Sequence, residues 1–339
     1  MDTSLVVEWV LKSAILIFVM LTGFAYLTLY ERKALARLQV RYGPNRAGPR
    51  GLLQPLADAV KLIFKEELIP ARADKVIFIL APLITLVPAI VIMAVVPFGD
   101  SVNLFGRQIN LYLTDINVGI LFLMSVASIS VYGIVLAGWS SNNKYSMMGA
   151  LRSSAQMISY ELALGLAFIS PILLAGTMSL NEIVKTQGEM GWFVIWQPIG
   201  AILFLLAATA EVNRAPFDMP EAEQELTAGY HTEYSGMKFS MFFIAEYMKM
   251  IAVSAFAATL FFGGYRGPFI DSVPWLGPLY LGGKIILLLF VMIWIRATLP
   301  RLRYDRLMAL GWKVLLPVGL FNVFITAVVI VLLDQAGIL

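Results

Sequence analysis

The chain has 339 residues, of which 59% are hydrophobic and only 14% are charged, and its formal net charge is +3. This composition excludes an ordinary soluble domain and predicts a polytopic membrane protein. The chain contains no cysteine and one histidine, His231. Disulfides, thiolate metal sites, iron–sulfur clusters and a bis-histidine haem are therefore excluded within it.

About eight apolar segments are long enough to cross a bilayer, because a spanning helix needs roughly 20 apolar residues. They lie near residues 5–30, 76–97, 117–138, 154–175, 193–212, 237–262, 281–300 and 314–333. Basic residues concentrate in the loops after the odd-numbered segments, so the positive-inside rule places those loops in the cytoplasm and both termini outside. We expect an all-α polytopic membrane protein that forms a single integral membrane domain over residues 1–339.

The first cytoplasmic loop is long and basic in its first half. Its second half, near residues 52–68, alternates apolar and polar residues with a helical period, with Leu53, Leu56 and Val60 on one side. The segment is too short and too charged to span, so we expect an amphipathic helix that lies in the membrane interface. A solvated loop helix is the alternative, and it would leave the apolar face without a cover.

Carboxylates are unusually concentrated in and beside the later segments. They are Glu161, Glu211, Asp218, Glu221, Glu223, Glu225, Glu233 and Glu246. A charged group at bilayer depth costs about 2.5–3.5 kcal/mol, so it must face the bundle interior, pair with a base or be protonated. Buried carboxyl groups that lie close together titrate as a coupled set, and a row of them can carry protons.

Simpler explanations exist for the individual carboxylates. Glu246 lies one helical turn before Lys249 and could form a structural ion pair with it, whereas Glu161 could make interhelical hydrogen bonds. The acidic residues after Pro220 also suit a helix N-terminus, where the helix dipole favours negative charge.

The turn at residues 213–218 places a cation, an aromatic ring and an acid at the membrane surface. These are Arg214, Phe217 and Asp218, and together they could line a site for a polar headgroup with an apolar tail. Arg214 could equally neutralise Asp218 or Glu211. The sequence offers no catalytic triad, no glycine loop for phosphate and no metal site, so the chain holds no complete active site of its own.

Two long stretches resemble the signatures of one family. They are YERKALARLQVRYGPN at residues 30–45, continued by LQPLADAVKL at 53–62, and AEVNRAPFD at 210–218, followed by PEAE at 220–223. Both resemble a membrane subunit, called the H subunit or subunit 1, of the proton-pumping NADH:quinone oxidoreductase, respiratory complex I. The resemblance covers essentially the whole chain and has a bacterial character.

The resemblance implies a role in a multisubunit enzyme of the bacterial inner membrane. The subunit would form much of the chamber through which quinone enters, with Arg32, Arg37, Arg41 and Arg46 near that chamber and near the peripheral-arm interface. Arg214, Phe217 and Asp218 would belong to the chamber wall. The eight carboxylates named above would form a funnel, or its mouth, that couples quinone reduction to proton translocation.

The resemblance also implies where the redox chemistry lies. Quinone would be the substrate, and FMN and the iron–sulfur clusters would sit in partner subunits of the peripheral arm. Small membrane subunits, antiporter-like subunits and lipid would be the neighbours, with no nucleic acid. We expect quinone reduction to change the charge near Asp218 and residues 221–225, and this change to pass on to Glu161.

Two alternatives remain open at the level of sequence. The chain could be the homologous membrane subunit of a hydrogenase or of another donor:quinone oxidoreductase, because the donor is selected by partner subunits. It could also be a stand-alone ion transporter that uses the buried carboxylates. A transporter of that kind often carries an internal inverted repeat, and the sequence shows none.

Overall fold

The computed structural model describes residues 3–104, 107–218, 228–270 and 272–335, and most of them are helical. The helices are α1 (Thr3–Leu38), α2 (Gln54–Ile63), α3 (Lys75–Val91), α4 (Gly119–Ser140), α5 (Lys144–Ala175), α6 (Leu180–Met190), α7 (Phe193–Trp196), α8 (Pro198–Glu211), α9 (Gly236–Phe261), α10 (Leu276–Thr298), α11 (Tyr304–Leu310) and α12 (Leu316–Gln335). A two-stranded antiparallel hairpin, β1 (Ser101–Leu104) and β2 (Arg107–Asn110), pairs Ser101 with Asn110.

Seven helices in the described part of the chain are long and apolar enough to cross a membrane. They are Val6–Leu38, Lys75–Val95, Gly119–Ser140, Lys144–Ala175, Gly236–Phe261, Leu276–Thr298 and Tyr304–Gln335. An eighth apolar helix, α8, has 14 residues and is about 21 Å long. The chain is an all-α polytopic membrane protein, as the composition predicts.

The fifth apolar segment, expected as one span over residues 193–212, is interrupted in the structure. Gln197 leaves the helical conformation, with φ −131° and ψ 59°, and separates the four residues of α7 from α8. A proline disfavours helical backbone in the residue before it, and Pro198 follows Gln197 directly. The buried Gln197 amide donates to Thr326 Oγ1 at 2.8 Å and accepts from Asn322 Nδ2 at 3.2 Å.

The amphipathic helix is shorter than the expected range of 52–68. α2 ends at Ile63, and residues 66–70 have no regular secondary structure. Ser235 holds this stretch, because its hydroxyl donates to the Glu66 carbonyl at 3.0 Å and accepts from the Leu68 amide at 3.3 Å. The apolar side chains of α2 remain exposed, Leu56 at 62% and Ile63 at 59%, and the described residues do not cover them.

Helix α9 lies at the centre of the bundle, and 83% of its most apolar stretch is buried inside the protein. It packs against α1, α3, α8 and α10, while α3 packs on α4 and α4 on α5. Contact between α3 and α4 depends on Gly133, where a Cβ atom would lie 2.1 Å from Thr85 Oγ1 and 2.9 Å from the Ala81 carbonyl oxygen. Because α9 is central, its polar residues Glu246 and Lys249 face neighbouring helices rather than lipid.

The last span contains a π-helical segment, Gly311–Leu315, between α11 and α12. Each half of the span is hydrogen-bonded to α5. On the α11 side, Tyr160 OH donates to the Leu307 carbonyl at 2.9 Å, and on the α12 side Asn322 Nδ2 donates to Ser170 Oγ at 2.7 Å.

Candidate functional site

Four charged side chains from distant parts of the sequence meet in the interior. We call them the arginine cluster: Glu31 of α1, Arg214 of the turn after α8, Glu246 of α9 and Arg296 of α10. Arg214 Nη1 lies 3.5 Å from Glu31 Oε1, and Arg214 Nε lies 2.6 Å from Glu246 Oε1. Arg296 Nη1 donates to the same oxygen of Glu31. Among the residues that the structure describes, two arginines thus face two carboxylates, and their formal charges balance.

The arginine cluster is well shielded from solvent. The side chains of Glu31, Arg214 and Glu246 are 4%, 7% and 13% exposed, and the guanidinium of Arg214 lies 4.2 Å from the centre of the Tyr247 ring. Charges this deeply buried persist only when they are paired. The helices that carry them are therefore tied together at this point.

The turn at residues 212–218 is held in place by α5. Gln156 Nε2 donates to the carbonyls of Ala210 and Phe217, both at 2.8 Å, and Asn213 Nδ2 donates to Ser153 Oγ at 3.2 Å. Phe217 is only 2% exposed, and its ring centre lies 5.8 Å from that of Tyr160. Phe217 thus packs into the core, where it anchors the turn that presents Arg214.

A second polar group lies beside the first, and we call it the carboxylate–lysine cluster. It consists of Glu161 of α5, Glu211 of α8 and Lys249 of α9, which line a common cavity of about 30 Å³. Ser128 of α4 donates to Glu161 Oε1, and Lys249 Nζ donates to Ser130 Oγ at 2.6 Å. A cavity of this size has room for one or two water molecules.

Helix α9 connects the two clusters, because Glu246 belongs to one and Lys249, one turn later, belongs to the other. Glu246 pairs with Arg214, and Lys249 donates to Ser130, so the Glu246–Lys249 pair considered from the sequence is not the one that forms. Arg214 forms ion pairs with Glu31 and Glu246. The sequence had suggested Asp218 and Glu211 as its partners and had not suggested these two.

The remaining acidic candidates lie elsewhere. Glu233 accepts a hydrogen bond from Asn143 Nδ2 at 2.6 Å, and Asn143 also caps α5, so Glu233 fixes the start of that helix. Asp218 is half-buried at the end of the described turn. Glu221, Glu223 and Glu225 lie outside the described residues.

The basic residues of the first loop divide into two groups. Arg32 forms an ion pair with Asp58 at 2.7 Å and so ties α1 to α2. Burial raises the pKa of Asp58, whereas the hydrogen bond and charge of Arg32 lower it, with a net decrease. Arg37, Arg41 and Arg46 are exposed, and together they present a basic surface.

An apolar groove of about 840 Å³ runs between α1 and α10. Its α1 wall extends from Lys12 to Tyr30, which is about 27 Å at 1.5 Å per residue. Met93 and Ile251 form its floor, and exposed wall residues such as Val19 and Ile286 leave it open to the side. On α1 the groove reaches Tyr30, which directly precedes Glu31 of the arginine cluster in the chain.

Sequence reasoning did not select Glu31 or Arg296, although Arg296 lies inside the expected span of residues 281–300. An ionisable residue within a span is a functional candidate by default, and that signal was sufficient to find it. Lys249 was considered only as a partner of Glu246, while the groove depends on the packing of helices that are far apart in sequence.

The sequence model of the family described as NADH dehydrogenase matches residues 11–327. The chain belongs to the NADH dehydrogenase family. The chain is 51% identical over 338 residues to the H subunit of the NADH-quinone oxidoreductase of Thermomicrobium roseum, covering 97% of this chain and 98% of that protein. It is 52% identical to the corresponding H subunit of Protochlamydia amoebophila, covering 90% and 92%, and 47% identical to H subunit 1 of Cytophaga hutchinsonii, covering 96% and 98%.

These NADH dehydrogenase family relatives are membrane subunits of an oxidoreductase complex. All three relatives carry the name of a subunit of NADH-quinone oxidoreductase.

Proposed function

We propose that this chain is the H subunit of a bacterial NADH-quinone oxidoreductase, and that it admits quinone from the membrane and couples quinone reduction to proton translocation. The observation that carries the proposal is the apolar groove, whose α1 wall reaches Tyr30, the residue before Glu31 of the buried arginine cluster. This arrangement suits a ligand with a long apolar tail and a polar head. A quinone with an isoprenoid tail has this chemistry.

The dimensions of the groove support this assignment. Its α1 wall of about 27 Å is close to the thickness of the bilayer hydrocarbon, about 30 Å. Because it is open to the side between α1 and α10, a tail could enter from the lipid without crossing a polar surface. At its inner end, Glu31 and Arg214 offer charged groups that respond to the charge of the reacting headgroup.

The two clusters support a route for coupling. A negative charge near Arg214 would compete with Glu246 for the guanidinium, since both would pair with the same cation. A loss of the Glu246–Arg214 pairing would change the electrostatic potential at Lys249, on the next turn of α9. Lys249 would in turn act on Glu211 and Glu161 in the shared cavity. Electrons would come from partner subunits, which would hold FMN and the iron–sulfur clusters.

The charge distribution supports the orientation and the partners. The exposed Arg37 lies at the end of α1, and Arg41 and Arg46 lie in the loop after it. The positive-inside rule assigns this basic region to the cytoplasm, and both termini would then lie on the outer side of the plasma membrane. This basic surface would complement an acidic face of a peripheral-arm subunit. Antiporter-like and smaller membrane subunits would pack on the lipid-exposed helices.

A pair of glycine substitutions tests the groove. Gly282 lines the groove and Gly283 does not, and a Cβ atom at either position would meet nothing within 4 Å. We expect Gly282→Leu to raise KM for a long-tailed quinone several-fold and to spare NADH oxidation by a water-soluble acceptor. Gly283→Leu is the matched control. Equal KM values for the two variants would contradict the proposed entrance.

A further inference from the structure

We propose that Lys249 sets the charge state of the Glu161–Glu211 pair, so that one of these carboxylates is ionised and the other carries a proton. Lys249 would then be a positioning residue: its positive charge sets the number of protons on Glu161 and Glu211 at one, and the two carboxylates share that proton. The functional meaning of this assignment rests on the proposed function, in which the carboxylates belong to the coupling route.

The first support is the geometry of the cavity. Lys249 is 7% exposed and Glu211 is 9% exposed, and both line the same small cavity as Glu161. The rest of the cavity wall is apolar, with Leu123 and Phe204 among its members. Charges in such surroundings cannot rely on bulk water, so they must balance one another.

The second support is the hydrogen bonding of the three groups. Ser128 donates to Glu161, which suits an acceptor at that oxygen. Glu211 Oε2 is buried and has no hydrogen-bond partner among the described residues. Lys249 Nζ donates to Ser130 Oγ, whose hydroxyl donates in turn to the Ala127 carbonyl at 2.6 Å. The lysine is therefore held by α4 and not locked to either carboxylate.

The third support is a count of charge. With Lys249 cationic, the cavity is neutral when one of its two carboxylates is ionised. Two ionised carboxylates would leave a net negative charge, and two protonated ones a net positive charge, and a buried site disfavours both. The neutral state therefore contains one proton that Glu161 and Glu211 can exchange, directly or through a water in the cavity.

The other charged groups that the structure describes do not change this count. Glu246, on the same helix as Lys249, is paired with Arg214 in the arginine cluster. Helix α4 faces Lys249 with the hydroxyl of Ser130, and among the described residues the ionisable groups acting on Lys249 are Glu211, Glu246 and Glu161. Helices α5 and α8 contribute one carboxylate each.

The test uses the assembled complex carrying Lys249→Met, with Lys249→Arg as the variant that keeps the charge. Infrared absorption in the protonated-carboxyl region, measured at pH 7, counts the protonated carboxyl groups. We expect Lys249→Met to gain one protonated carboxyl relative to wild type. The gain should disappear when Glu211→Gln is added, and Lys249→Arg should show no gain.

Turnover with quinone as a function of pH provides the second readout. In Lys249→Met an ionised carboxylate should exist only at higher pH, so the rising limb of the profile should move up by about 1–3 pH units. Lys249→Arg should retain the wild-type profile. An unchanged carboxyl count in Lys249→Met, or a gain that also appears in Lys249→Arg, would overturn the inference.

The two levels of the proposal can fail separately. If Glu161→Gln and Glu211→Gln complexes pump protons like wild type while Lys249→Met still gains a protonated carboxyl, the role of Lys249 stands and the coupling route is wrong. If the glutamine variants lose pumping but Lys249→Met gains no carboxyl, the coupling route stands and Lys249 does not set the charge of the pair.

Discussion

Replacement of Arg214 by methionine is the most direct perturbation of the arginine cluster. The substitution removes a cation that is 7% exposed and that pairs with Glu31 and Glu246. Glu31 keeps Arg296 as a partner, whereas Glu246, which is 13% exposed, loses its ion pair with Arg214. Breaking a buried pair in this way costs roughly 3–5 kcal/mol of folding stability.

The assay is unfolding of the detergent-solubilised protein by SDS, followed by far-UV circular dichroism. Arg214→Met should unfold at lower SDS than wild type, and Arg214→Met combined with Glu246→Gln should recover much of the loss. Arg32→Met is the matched control, because the Arg32–Asp58 distance of 2.7 Å is close to the 2.6 Å of the Arg214–Glu246 pair, but Arg32 is 48% exposed. An exposed pair contributes about 0.2–1 kcal/mol. Equal losses for Arg214→Met and Arg32→Met, or strict additivity in the double variant, would refute the reasoning.

Two further outcomes follow from features away from the clusters. Burial raises the pKa of Tyr234 to about 12, and a hydrogen bond with Ser140 lowers it by a smaller amount. The stability linked to this raised pKa is fully present below pH 10, near the usual pKa of tyrosine. That contribution should be lost as the pH rises towards 12, and ultraviolet titration against Tyr234→Phe would detect the late ionisation, which a transition near pH 10 would contradict. Gly133→Ala should lower stability in the SDS assay by about 1–3 kcal/mol, because its Cβ atom would meet backbone and side chain of α3. Gly283→Ala, with nothing within 4 Å, is the control, and a loss of the same size there would contradict the packing explanation.

Hydropathy and loop charge were sufficient to predict the class of fold, because apolar length is a local property of the sequence. The interruption at Gln197 was missed, although Pro198 was visible, since a proline within an apolar segment is often tolerated in a membrane helix. The interruption is stabilised by Asn322 and Thr326 of the last span, which form hydrogen bonds with the side-chain amide of Gln197. A contact across more than 120 positions cannot be inferred from the local pattern.

Several residues of the candidate site could be selected from the sequence, but the pairs that they form could not. Glu161, Glu211 and Lys249 line one cavity, and Arg214 and Glu246 form an ion pair. Glu31 and Arg296, which lie far apart in the sequence, complete the arginine cluster. Charge balance requires some partner for Arg214, but only the packing of α1, α9 and α10 determines which one.

The π-helical segment of the last span has a consequence for how this chain tolerates changes in length. A π-turn holds one more residue than an α-turn, so the C-terminal half of the span is out of phase with the N-terminal half by about 100°. Deleting one residue from Gly311–Leu315 would remove that offset. The bonds from Tyr160 to Leu307 and from Asn322 to Ser170 could not both survive. The length of this five-residue segment is therefore constrained more tightly than its composition.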